Sequence, residues 1–109
     1  MAWTVDLCAE AEAELLELPA DIRARFLHIA ELLEAFGPQH VGMPHVRHLE
    51  GKLWEMRMKG RDGIARAVYV ARTGQRLTVL HVFTKKTQKA PRKALDTAHV
   101  RLRRMTDDY

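Results

Sequence analysis

Between residues 55 and 92 the sequence concentrates side chains that could do chemistry. Glu55, Arg57 and Lys59 sit in the alternating segment LWEMRMK, Arg66 in IARAVYVAR and His81 in LTVLHVFT, followed by Lys85, Lys86, Lys89 and Arg92. Guanidinium and ammonium groups in such number bind phosphate, and the planar, permanently charged fork of arginine suits that task better than the point charge of lysine. The charge distribution points the same way. Residues 1–50 carry three basic and nine acidic residues (net −6) and residues 51–109 carry fifteen basic and five acidic (net +10), a separation that the formal +4 conceals. A separation of this size in a small chain implies that one surface meets a polyanion, whereas a surface charged only for solubility would mix the signs. Charge does not say which polyanion.

Each residue also has a plainer reading. Arg66 and Glu55 could form a purely structural bridge, and Lys85, Lys86 and Lys89 could be a solvated edge that discourages strand pairing. His81, the one histidine inside a strand pattern, could be a packed residue; alternation puts it on the side of Phe83 and Lys85. Trp54 and Tyr69 could stack on bases but read as core. His40, His45 and His48 fall in an aperiodic stretch with no converging carboxylate or thiolate, so no metal site is expected. Cys8 has no disulfide partner and reads as a small buried hydrophobe.

The elements that must position these residues follow from periodicity. A chain of 109 residues with 47% hydrophobic and 29% charged residues reads as one folded domain over 1–109. No run is apolar enough to span a membrane, and the N-terminus lacks the order of a signal peptide, so a cytoplasmic protein is expected. Strong helix formers predict a helix over Cys8–Leu18, with Asp6 near its start. A second helix runs from Pro19 to Gly37-Pro38, with Ile22, Phe26, Ile29, Leu33 and Phe36 on one stripe. Residues 38–51 read as loop. Strands follow at Leu53–Lys59, Ile64–Arg72 and Leu77–Thr84, joined by short turns into an antiparallel meander. A last helix, Pro91–Met105, turns Leu95, Ala98 and Leu102 inward, and residues 106–109 fray. The expected fold is α+β: an N-terminal helical hairpin packed on one face of a small antiparallel sheet, then a C-terminal helix, with room for a short strand at Trp3–Leu7. The other sheet face, carrying Glu55, Arg57 and Lys59, is expected to be uncovered.

With its segments LEGKLWEMR (49–57), DGIARAVY (62–69) and LHVFTKKTQKAP (80–91), the chain resembles the RelE/HigB superfamily of bacterial toxins, and within it the phage-derived HigB-like subgroup. The resemblance implies a RelE-like fold and a type II toxin that cuts messenger RNA in the ribosomal A site without metal or nucleotide cofactor. It also implies a cognate antitoxin with a helix-turn-helix domain (HigA-like), through which the toxin would oligomerise. In such cleavage the 2′-OH attacks its adjacent phosphate, a base takes the 2′ proton, cations balance the phosphorane and an acid protonates the leaving 5′ oxygen. By resemblance Arg66 faces the scissile phosphate, Lys85 and Lys86 serve as phosphate ligands or as acid and base, and Glu55 is a base or orients an arginine. Arg57, Lys59, Lys89 and Arg92 are further RNA or phosphate ligands. Some family members carry a histidine or tyrosine near the C-terminus as general acid. Here the end reads RRMTDDY, with Tyr109 last, so the acid falls to Lys86, His81 or the ribosome. Two other functions stay open: a ParE-like poison of DNA gyrase, and a decayed toxin that only binds its antitoxin.

Overall fold

A computed structural model of the chain describes residues 3–42, 45–85 and 91–105. Its elements run β1 (Thr4–Leu7), α1 (Ala9–Leu16), α2 (Ala20–Phe36), a 3-10 turn at Pro38–His40, β2 (Val46–Glu50), β3 (Leu53–Gly60), β4 (Gly63–Arg72), β5 (Arg76–Lys85) and α3 (Arg92–Arg104). The three meander strands and three helices lie where periodicity places them, to within one or two residues at each end. The strands form one five-stranded sheet in the order β1-β5-β4-β3-β2, antiparallel except for β1, which pairs parallel to β5.

Three expectations are corrected. Residues 46–50, read as loop, form strand β2, because the Gly51 turn (φ +53) folds VRHLE back onto β3. The first two helices make almost no contact with each other: α1 lies on β5 and α2 on β3, so each buries its stripe against the sheet rather than in a hairpin. Helix α3 covers the face expected to be bare, where Leu95, Ala98 and Leu102 pack on Leu53, Val68, Val70 and Leu80. A third amphipathic helix needs an apolar surface, and the first face is already filled by α1 and α2.

On that first face Ile22, Phe26, Ile29 and Leu33 join Met56, Met58, Tyr69, Val79 and Val82 in the main core. Phe36, expected on the same stripe, is the last residue of α2 and is 61% exposed. Helix α2 stops at Gly37, whose φ of +84 suits only a residue without Cβ and whose N–H still bonds the Leu33 carbonyl. At its other end Asp21 accepts the Arg61 N–H at 2.6 Å and thereby pins the helix to the β3–β4 turn. A β-bulge in β5 keeps Leu80 and His81 both toward α3, since Tyr69 pairs with Val79 but Val68 with His81. No helix among the described residues is long and apolar enough to cross a membrane.

Candidate functional site

Alternation along β2, β3 and β4 brings Arg47, Glu55, Arg57 and Arg66 to the sheet face that α3 partly covers. Register places Arg47 opposite Glu55 and Arg57 opposite Arg66. Glu55 Oε2 accepts from Arg66 Nη1 at 2.5 Å and from Arg47 Nε at 2.8 Å. Glu55 is fully buried and Arg66 is 2% exposed, which corrects the expectation that this face stands open at Glu55. Each charge tolerates burial because the other neutralises it. Arg57 is half-buried, its Nε has no hydrogen-bond partner, and it makes no ion pair among the described residues. Arg57 thus stands opposite an arginine already paired with Glu55, and the repulsion between like charges opposed on adjacent strands is of the kind an anion beside Arg57 relieves.

Arg47 also lines a cleft of about 720 Å3 with His48, Leu49, Glu50, Pro91, Arg92 and Leu95, between β2 and the start of α3. Arg47 thus links the cleft wall to the buried Glu55, which it reaches through Nε. Arg92, on its rim, donates to both Glu50 oxygens at 3.0 and 2.9 Å and to Asp96 at 2.9 Å. These carboxylates, Glu50 first, hold its guanidinium firmly protonated. Hydrogen bonds from Arg92 and then His99 lower the Glu50 carboxyl to about 2.

His81 stands apart from Arg66 but is linked to it. Its ring stacks on Phe83 with centroids 4.9 Å apart, and Phe83 is the ladder partner of Arg66. The His81 Nδ1 lies 3.1 Å from Glu14, which also accepts from Arg101 at 3.0 Å and from the Val82 N–H at 2.9 Å. Burial alone would raise the Glu14 carboxyl, but these hydrogen bonds from Arg101, Val82 and His81 outweigh it and leave it lowered.

The match that decides the family covers residues 13–103, which fit the model of the family described as "Phage derived protein Gp49-like". The chain belongs to this Gp49-like family, a RelE/HigB-like toxin family. Two solved structures share its fold. A double arginine-to-alanine mutant of the E. coli toxin RelE in the free state superposes with a TM-score of 0.60 at 19% identity, covering 94% of this chain and 99% of that one. A chain of the archaeal RelE-RelB complex from Pyrococcus horikoshii OT3 gives 0.55 at 18% identity, covering 77% of this chain and 96% of that one. No curated protein matches the chain in sequence.

Of the residues singled out from sequence, the Gp49-like fold brings Glu55, Arg57 and Arg66 together. Lys59 is exposed at the end of the same strand, and Lys85 closes the β4–β5 ladder opposite Ile64. Lys86, Lys89 and Tyr109 lie outside the described residues. Trp54 and Tyr69 face away from the arginines, onto a cavity shared with Trp3 and Leu77, and Tyr69 is core. Among the described residues no three His, Cys, Asp or Glu side chains converge as a metal would require. Sequence reading missed Arg47, because its five-residue strand VRHLE is short and follows a stretch broken by Gly42, Pro44 and His45. The signal was present in Glu50-Gly51-Lys52, a glycine-centred turn between two alternating segments.

Proposed function

We propose that this protein is the toxin of a toxin-antitoxin pair and that it cleaves messenger RNA on the ribosome without a metal. The reading is carried by Arg57 and Arg66, opposed across the β3–β4 ladder with Glu55 accepting from Arg66 and Arg47. A structural bridge needs one guanidinium per carboxylate, whereas a phosphorane dianion forming at this spot needs the surplus. Family membership supports the same reading.

In this mechanism the 2′ oxygen attacks the adjacent phosphorus, the P–O5′ bond breaks, and a 2′,3′-cyclic phosphate and a 5′-OH result. Arg66, held by Glu55, and Arg57 stabilise the phosphorane charge. Glu55 is a positioning residue, since both its interactions are with arginines. Proton transfers fall to Lys85, Lys86 or His81; of these His81 has its Nδ1 against Glu14, which leaves its imidazole oriented toward the α1–α3 side. A cognate antitoxin with a helix-turn-helix domain restrains the toxin in the cytoplasm. Because the Arg66 guanidinium is buried, RNA reaches it by way of the cleft that contains Arg47.

Expression of the wild-type chain should stop growth and leave RNA 5′ ends inside translated codons, and Arg66→Lys, which keeps a cation beside Glu55, should strongly reduce both while remaining folded. DNA breaks with intact messenger RNA would instead establish gyrase poisoning. Harmless expression of folded wild-type protein would establish a toxin that has lost its activity.

A further inference from the structure

Strand β2 pairs with β3 as far as Val46 opposite Met56, and beyond that point no strand among the described residues lies on the outer edge of β3. A cavity of about 360 Å3 opens there, lined by Arg25, His45, Arg57, Lys59 and Ile64. These residues come from α2, from the segment before β2, from β3 and from β4, and hydrogen bonds fix the backbone of two of them. The Arg57 N–H donates to the His45 carbonyl at 2.8 Å, the His45 N–H donates to the Gly42 carbonyl at 3.0 Å, and the His28 ring meets His45 edge-on with centroids 6.4 Å apart. Arg25 lies one helical turn beyond Asp21, the residue that clamps α2 to the β3–β4 turn, so it projects from the same helix face toward β3.

The cavity is positive and uncompensated. Arg92, Arg101 and Arg104 are each matched to a carboxylate, but among the described residues Arg25, Arg57 and Lys59 have no ion pair and no acidic side chain lines the cavity. Three cations gathered around a void repel one another unless an anion joins them. Arg57 is also the ladder partner of Arg66, so an anion here would sit one strand away from one at Arg66. Regularly spaced anions along a line are the signature of a single-stranded nucleic-acid backbone, which proteins track with a positive groove.

We propose that Arg25, His45 and Lys59, with Arg57 shared between the two positions, form a phosphate subsite that holds the RNA backbone beside the phosphate engaged by Arg66. This rests on the nuclease reading and assigns to it two residues, on α2 and before β2, outside the sheet face.

The test uses the full chain and a fluorescein-labelled single-stranded RNA with 2′-O-methyl riboses, which cannot be cut. Binding is followed by anisotropy across about 50–200 mM salt. Arg25→Gln should weaken binding several-fold at low salt and reduce the slope of log affinity against log salt by about 0.7, the loss of one phosphate contact. Arg25→Lys should restore the slope, and Lys93→Gln, an exposed change on α3, should leave it as in wild type. If RNA binds but Arg25→Gln has the wild-type slope, the subsite falls and the nuclease reading stands. If Arg25→Gln weakens capture of a helix-turn-helix partner while RNA binding is unchanged, the cavity serves a protein and the inference is overturned. If the wild-type chain neither binds this RNA nor cuts messenger RNA on ribosomes, the nuclease reading itself fails and the subsite with it.

Discussion

Arg66 and Glu55 are joined in the interior of the sheet, Nη1 to Oε2 at 2.5 Å, with 2% and none of their respective surfaces exposed. Removing one member of a buried ion pair strands the other. Glu55→Ala should therefore cost about 3–5 kcal/mol in urea unfolding. A cost below about 1 kcal/mol, the value of a surface pair, would mean that the Arg66 charge finds another partner or solvent.

Arg66→Lys separates charge from shape. Lysine keeps a cation beside Glu55, so the fold should survive, but it lacks the planar fork that can hold a carboxylate and a phosphate at once. Ribosomal messenger RNA cleavage should fall by about 10^2–10^3-fold, the loss expected when a preorganised donor to a developing oxyanion is removed. Wild-type cleavage by the folded variant would show that the fork is not used.

Gly60 is a close-approach position. A Cβ there would lie 2.6 Å from Ile22 Cγ1 and 2.8 Å from Asp21 Oδ2, whereas one at Gly63 meets nothing within 4 Å. Gly60→Ala should destabilise by about 1–3 kcal/mol as an overpacked contact. Gly63→Ala should change stability by no more than about 0.5 kcal/mol. Equal effects in thermal melts would remove the steric account of the α2 anchor.

Helix α3 is fastened by acids on other elements: Glu50 holds Arg92 and His99, Glu14 holds Arg101, and Glu10 holds Arg104. The Glu50 carboxyl is depressed from 4.5 to about 2, and those of Glu14 and Glu10 are also lowered. A depressed carboxylate stabilises the fold fully above its unfolded value and loses that contribution as pH falls through its folded value. For Glu50 that window runs from 4.5 down to about 2. Amide exchange, corrected for intrinsic rates, should show α3 losing protection in this window before β4 does, and Glu50→Gln should blunt the change. Simultaneous loss in α3 and β4 would mean that apolar packing alone holds the helix.

The sequence shows some of this arrangement directly and hides the rest for definable reasons. LWEMRMK discloses its two faces because side chains on a strand alternate with period two, so Met56 and Met58 against Glu55 and Arg57 are visible without coordinates. The burial of Glu55 is not, because a charged residue on the polar side of a strand looks solvated until the α3 stripe and the Arg66 pair are known. The α3 stripe, likewise, announces that an apolar surface exists but not which side of the sheet supplies it. Arg25 is hidden by the same rule that reveals its helix: off the Ile22–Phe26–Ile29 stripe, it counts as surface, and only the tertiary clamp at Asp21 brings it to β3.

The bulge at Leu80 acts as a half-period shift in β5. Before it, Leu77 and Val79 point to the α1–α2 side; after it, Val82 does, although simple alternation from Val79 would send Val82 the other way. Deleting Leu80 would restore simple alternation with His81, Val82 and Phe83 on their present sides, but it would take a side chain out of the core under α3 and remove the carbonyl that accepts from Arg101 at 2.9 Å. A single extra residue thus puts two consecutive side chains under α3, and length variation here should loosen that helix while in the turn at Thr73–Gln75 it is tolerated.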